Sequence, residues 1–292
     1  MPCRGRPCRA SEIGLSWTVP SVTLGELVFD YADDGPREAP VVLMLHGFPQ
    51  DHTSWDVLSA DLVAAGYRTI RPDQRGYSAG ARPTGAQAYR LKAVVTDAFD
   101  LLDALGVERA HVVGHDWGGA TAWGMASLHP ERLLTLTVLS TPHPAALSRA
   151  MLRSSQGLNS WYMGLFQIPG LAERALAPGG RFWREMLRGV PPEAEQRYAA
   201  NARRPGALSA MLGWYRAMPL DIARPSIEWH RISVPTLYVW GNDDPALGAA
   251  AARGSSRFVA SDFAFVELMG QGHWLPERAS DLVLPLVLDR LG

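Results

Sequence analysis

The sequence predicts an α/β fold, with a mostly parallel central sheet flanked by helices and a helical insertion splitting the core. Short apolar runs alternate with longer helical patterns between residues 26 and 140, the signature of βαβ units. After Ser140 that alternation stops, and residues 141–230 bring prolines, arginines and four tryptophans (Trp161, Trp183, Trp214 and Trp229) without strand-like runs. Strand patterning then resumes in Pro235-Thr236-Leu237-Tyr238-Val239-Trp240.

Each element follows from its own residues. Val41 to Leu45 and His111 to Val113 are continuous apolar runs of strand length, the pattern of strands buried on both faces, and Leu133 to Leu139 is another. Between them, Trp55 to Ala65, Leu91 to Leu105 and Ala120 to Leu128 carry apolar residues at helical spacing and are expected to cover the sheet. Beyond the insertion, Phe263 to Leu268 reads as a strand and about Pro276 to Leu291 as the last helix, while small residues at Ala249 to Ser256 suggest a helix end or loop. The expected division is a tail over 1–23, a first core part over 24–140, a helical cap over 141–230 and a second core part over 231–292. No internal repeat is visible.

At 292 residues the chain is long enough for one large core carrying an insert. Its 28 basic and 29 acidic side chains give a net charge of -1, so no overall field gathers nucleic acid or an anionic membrane surface, and a small apolar molecule is the expected partner. The two cysteines, Cys3 and Cys8, build neither a disulfide framework nor a metal cluster. The basic start MPCRGRPCRA lacks the apolar run of a signal peptide, and no stretch of about 18 uncharged apolar residues follows. A soluble cytoplasmic protein is expected, its first residues being a disordered tail or an over-long translation start. An exposed insertion surface leaves room for a homodimer.

The chemistry is concentrated where strands end. Gly114-His115-Asp116-Trp117-Gly118 fits the pattern Gly-x-nucleophile-x-Gly, directly after a strand and directly before a helix beginning near Gly119. Such a turn is sharp, so its flanking positions must be small, and the helix N-terminus beneath favours an ionised Asp116. Read alone, Asp116 is equally an ordinary N-cap. A second strand end, His46-Gly47-Phe48-Pro49, shifts the balance, because hydrolases with such an elbow complete an oxyanion hole from a loop there. The expected donors are the N–H groups of Phe48 and Trp117.

In such a fold the nucleophile is followed along the chain by an acid and then a histidine. Asp243 and Asp244 follow Val239-Trp240-Gly241, and Gly272-His273-Trp274 follows Glu267-Leu268. His273 is the expected general base, since imidazole titrates near about 6.5. Asp244 is favoured as its orienter, with Asp243 the alternative and more suited to a turn or N-cap. His46 and His115 are expected to brace the site loops; His46, Pro49, Trp117 and Trp274 are also candidates for substrate contact. A carboxylate nucleophile forms an ester of the protein itself, which water must then cleave. This suits an electrophilic sp3 carbon, such as that of an epoxide or alkyl halide, better than a carboxylic ester.

With His46-Gly47-Phe48-Pro49-Gln50-Asp51, Asp73-Gln74-Arg75-Gly76-Tyr77-Ser78, the Asp116 elbow and Gly272-His273-Trp274, the chain resembles the epoxide hydrolase and haloalkane dehalogenase group of α/β-hydrolases over about residues 24 to 292. It is most similar to the bacterial-type epoxide hydrolases. The resemblance implies two cap tyrosines donating to the epoxide oxygen: Ser160-Trp161-Tyr162 looks like the first segment and Trp214-Tyr215-Arg216 like the second. Taken singly, either tyrosine reads as packing between cap and core. A dehalogenase is the alternative; Trp117 suits its halide cradle, but Phe48 stands where an Asn often does. Fluoroacetate dehalogenases share the His46 loop, yet have Arg where this chain has Trp117. A non-catalytic receptor of the same fold is the third reading. The implied scheme needs no metal or organic cofactor.

Overall fold

The computed structural model describes residues 19–292 apart from residue 155. The expected tail is therefore outside the described residues as far as residue 18, and Cys3 and Cys8 lie there too. Across the boundary expected at residue 23 runs a strand, β1 (Ser21–Leu24), which pairs antiparallel with β2 (Leu27–Asp34). Gly25, at φ 60°, opens the two-residue turn between them, a backbone region that suits glycine.

The core continues through β3 (Val41–Leu45), α1 (Asp56–Ala64), β4 (Arg68–Pro72), α2 (Leu91–Ala104), β5 (Ala110–His115), α3 (Trp117–Leu128) and β6 (Leu133–Leu139). Eight helices follow among the described residues: α4 (Pro144–Arg153), α5 (Gln156–Asn159), α6 (Trp161–Leu165), α7 (Leu171–Ala175), α8 (Arg181–Met186), α9 (Pro192–Ala202), α10 (Ala207–Met211) and α11 (Gly213–Ala223). The sheet is completed by β7 (Thr236–Gly241) and β8 (Phe263–Leu268), with α12 (Ala249–Gly254) between them and α13 (Leu275–Arg278) and α14 (Ser280–Leu291) after them. Ala249 thus opens a short helix, and the expected last helix is broken at Ala279.

The eight strands are ordered β1-β2-β4-β3-β5-β6-β7-β8; β2 meets both neighbours antiparallel and every pair from β4 to β8 is parallel. Every residue of β3, β4, β5 and β7 is buried, as strands covered on both faces must be. One face packs on α2 and α3 through Val95, Leu102 and Trp123. The other packs on α1 and α14 through Leu58, Val283 and Val287. A third apolar cluster lies above the strand ends, where Phe48, Tyr77 and Trp274 of the core meet Phe166, Trp183, Tyr198, Trp214 and Tyr215 of the insertion.

Strand β4 was not among the sequence expectations, because Arg68 and Arg71 break its apolar pattern. Their charges are matched from elsewhere: Arg68 forms a two-pronged ion pair with Asp33 at 2.7 Å on each arm, and Arg71 reaches Asp34 and Asp56. Strand order reverses between β3 and β5, where Leu45 pairs with Gly114. In open parallel sheets the crevice at such a reversal, beyond the carboxyl ends of the strands, is where ligands bind. The His46 loop and Asp116 leave the sheet at that point. No helix among the described residues is long and apolar enough to cross a membrane.

Candidate active site

Asp116 sits between β5 and α3 at φ 51°, ψ -122°, a conformation costing a non-glycine residue about 1–3 kcal/mol. Its neighbours make the turn fit: a Cβ on Gly118 would lie 2.0 Å from the Leu45 carbonyl oxygen, so a side chain there would push the elbow off β3. Although Asp116 precedes α3, its side chain makes no capping bond to that helix. Its Oδ1 instead accepts from the Phe48 N–H at 2.8 Å, and Oδ2 lies 3.5 Å from His273 Nε2. Asp116 is thus the N-cap of α3 by position but not through its side chain. The other expected donor, the Trp117 N–H, is the first of α3.

His273 is held from three directions. Its Nδ1 faces Asp244 Oδ2 at 2.7 Å, while Asp244 Oδ1 accepts from the backbone N–H groups of Ala246 and Leu247 at 2.8 and 3.0 Å. Its carbonyl oxygen accepts from the Ser140 hydroxyl at 2.7 Å and lies 2.8 Å from His115 Nε2. Of the two adjacent acids, Asp244 faces the ring, and Asp243 is an exposed residue at the cavity rim. Burial by itself would lower the His273 pKa, but Asp244 and Asp116 outweigh it and raise it to about 10. Burial likewise works against the Asp116 charge, yet His273 and the Phe48 N–H together hold its carboxyl below the ordinary range.

A cavity of about 540 Å³ opens onto Asp116 and His273, a volume suited to a small organic ligand. At its inner end stand Phe48, Tyr162, Phe166, Tyr215 and Trp274; toward its mouth stand Trp161, Phe182 and Met186. The two tyrosine rings, from α6 and α11, are 6.3 Å apart. Burial raises both phenol pKa values well above their usual range, and the Asp116 charge raises them further, so both hydroxyls keep their protons at neutral pH.

Three candidate contact residues are placed differently from the expectation. His46, Pro49 and Trp117 are not among the residues lining the cavity. His46 is fully buried, with Nε2 accepting from the Gln74 N–H at 3.2 Å and Nδ1 3.0 Å from the Gly47 carbonyl, so its ring is turned inward as a brace. Pro49 is buried within the loop. The Trp117 indole packs edge-on against Tyr215 and Trp214 at 5.1 and 5.6 Å and backs the cavity wall from behind. Trp274 does line the cavity.

Sequence reasoning missed Phe166, Phe182 and Met186, which carry no motif and reach the cavity only through the packing of short helices. It also missed the hydrogen bonds made by Gln50 and Glu277. Gln50 Oε1 accepts from the Gly47 N–H at 2.8 Å and lies 2.9 Å from His115 Nδ1, while its Nε2 donates to Glu277 Oε1 at 2.7 Å. Burial lowers the His115 pKa to about 3; this neutral ring braces the site from below. No group of three or more metal-ligating side chains is gathered among the described residues.

A family model described as the alpha/beta hydrolase fold matches residues 40–277. The chain is similar to the AB hydrolase superfamily protein YfhM of Bacillus subtilis, at 34% identity over 92% of this chain and 96% of that protein. It is similar to epoxide hydrolase A of Mycobacterium tuberculosis, at 32% identity over 88% and 92% of the two chains. Among solved structures, it resembles one of the epoxide hydrolases from metagenomes of hot environments, with a TM-score of 0.84 and 30% identity over 95% of this chain and 99% of that one. It also resembles epoxide hydrolase A of Mycobacterium thermoresistibile, with a TM-score of 0.81 and 27% identity over 93% and 97%. The family match spans most of the sequence and includes both strand ends that carry Asp116 and His273, and the chain belongs to the alpha/beta hydrolase family.

Proposed function

We propose that the protein is an epoxide hydrolase acting on small apolar epoxides, with the insertion as a cap over the nucleophile. The observation that carries this reading is the placing of two protonated tyrosines, Tyr162 and Tyr215, on the same cavity as Asp116. Ring opening expels an alkoxide, a poor leaving group, and a hydroxyl donor at that oxygen offsets its charge. The curated and structural relatives named as epoxide hydrolases support the same reading.

In this scheme Tyr162 and Tyr215 hold the epoxide oxygen. Asp116 Oδ2, which accepts no N–H as close as the one on Oδ1, attacks a ring carbon. The C–O bond of the ring breaks, one tyrosine gives its proton to the departing oxygen, and an alkyl ester of Asp116 forms. Esterification removes one of the two anions that raise the His273 pKa, so the ring gives up its proton to bulk water, from which it takes one back once Asp116 is again an anion, and becomes a base. Neutral His273, oriented by Asp244, takes a proton from water as the water oxygen adds to the Asp116 carbonyl carbon. The oxyanion forms at Oδ1, where the Phe48 N–H already points, with the Trp117 N–H as the second donor. Collapse expels the alkoxide, which takes the proton from His273 and leaves as a vicinal diol. The Asp116 carboxyl proton returns to the tyrosinate.

A panel of epoxides and haloalkanes, tested on wild type and on His273→Gln with intact mass recorded, is the direct test. Diol formation by wild type and a mass increase of one substrate on the variant are expected. Halide release from a haloalkane, with styrene oxide untouched, would give the dehalogenase reading instead. A stable Asp116 adduct on the wild type that never turns over would favour a receptor.

A further inference from the structure

Glu277 stands four residues beyond His273, in the single short turn of α13, with its carboxyl buried where three segments of the chain meet. Its Oε1 accepts two hydrogen bonds, from Gln50 Nε2 at 2.7 Å and from the Tyr198 hydroxyl at 2.8 Å. Gln50 belongs to the loop carrying Phe48, and Tyr198 belongs to α9 of the insertion. The Gln50 amide can be oriented only one way, since the Gly47 N–H must meet its oxygen; the amide nitrogen is thereby directed at Glu277. That same oxygen lies against His115, whose other ring nitrogen lies 2.8 Å from the His273 carbonyl oxygen.

The chemical form of the carboxyl follows from what surrounds it. Glu277 Oε2 is buried and has no hydrogen-bond partner. An ionised carboxylate would leave charge on an oxygen that no donor meets, and this costs more than leaving a neutral group unpaired. Burial raises the Glu277 pKa, against the hydrogen bonds of Gln50 and Tyr198 and the charge of His273.

We infer that Glu277, as a neutral carboxyl, is a positioning residue for the ester-hydrolysing half of the reaction, clasping the Phe48 loop and the insertion to the segment that carries His273. This rests on the epoxide hydrolase reading of the site. Water attack needs the Phe48 N–H and the His273 ring held in fixed relation: Gly47, which precedes Phe48, is tied to this carboxyl in two hydrogen-bonded steps through Gln50, and His273 stands four residues from it along the chain. Formation of the ester needs Asp116 and the tyrosine hydroxyls, none of which Glu277 touches.

The test is single-turnover kinetics on an epoxide, following alkyl-enzyme by intact mass, for wild type, Glu277→Ala, Glu277→Gln and Tyr198→Phe. Glu277→Ala is expected to hydrolyse the ester about tenfold more slowly, the effect of one buried hydrogen bond, and to accumulate alkyl-enzyme while forming it at close to the normal rate. Glu277→Gln, whose amide oxygen accepts from both donors and which cannot ionise, is expected to restore hydrolysis. Tyr198→Phe leaves Glu277 and Gln50 in place, and is expected to show the same split more weakly; it carries the test if the alanine variant does not fold. Equal slowing of both steps, or a lowered Tm with unchanged rates, would make Glu277 a packing residue. A glutamine variant as slow as alanine would overturn the neutral form. A wild-type protein that forms no ester with any epoxide removes the hydrolase reading and this inference together, whereas normal turnover by all three variants removes the inference alone.

Discussion

Gly47 and Asp116 approach so closely that a Cβ on the glycine would lie 2.3 Å from the Asp116 Cβ and 2.6 Å from its Oδ1. The Phe48 N–H reaches the carboxylate only because the preceding residue has no side chain. Gly47→Ala is expected to displace the loop, costing about 1–3 kcal/mol of stability and a larger share of activity than of fold. Thermal unfolding beside steady-state rates checks this; an alanine variant with native kcat would show that the loop yields without consequence.

Asp116→Ala is expected to abolish turnover and to form no covalent adduct. His273→Gln is expected to form the adduct and hold it, since the base acts only in the second step. Intact mass after incubation with an epoxide separates the two, and a His273 variant that turns over normally would sink the two-step scheme.

In the proposed scheme the tyrosines act earlier. Tyr162→Phe and Tyr215→Phe are each expected to slow ester formation by roughly a hundredfold, the lower end for general acid catalysis, and the double variant to nearly stop it. Rapid-quench measurement of adduct formation reads this step directly. Wild-type rates in the double variant would leave both rings as packing.

Buried histidines set an acid limit on stability. Burial lowers His115 and His143 each to about 3, so both stay neutral in the folded state when the unfolded chain, titrating near about 6.5, takes up protons. Their contribution is present above pH 6.5 and is lost as pH falls toward 3, at up to about 1.4 kcal/mol per pH unit for each ring. His143 stacks on Phe258 at 4.5 Å, and its Nε2 has no partner. His143→Gln is expected to flatten the fall in unfolding free energy between pH 6 and 4 by one proton's slope relative to wild type, measured by urea denaturation; parallel curves would refute it.

The sheet was readable where a strand covered on both faces is built from a continuous apolar run, as in Val41 to Leu45 and Leu133 to Leu139. It was not readable at β4, where Arg68 and Arg71 are buried by carboxylates from other segments, or at β1 and β2, whose burial is only partial. The site divides in the same way. Asp116, Asp244 and His273 each lie in a local motif at a strand end, so spacing found them. Gln50 and Glu277 meet across 227 positions, and nothing near either residue signals the other. His46 and Pro49 were assigned to the cavity from their loop; the structure turns the His46 ring inward to meet the Gln74 N–H, and Pro49 is buried without lining the cavity.

The helical insertion leaves the sheet at the end of β6 and rejoins it at β7, so the chain reaches Tyr162 and Tyr215 only on that excursion, while Asp116 and His273 stand on strand ends at either side. In the proposed scheme the attacking carboxylate and the imidazole thus belong to the frame, and the hydroxyls assigned to the departing oxygen belong to a separate panel. Substitutions at Trp161, Phe166, Phe182 or Met186, which line the cavity from this panel, are expected to redraw it and with it which electrophile is accepted, while the sheet residues stay in place. Changes of substrate are therefore expected to accumulate in the panel, and losses of all chemistry in the frame.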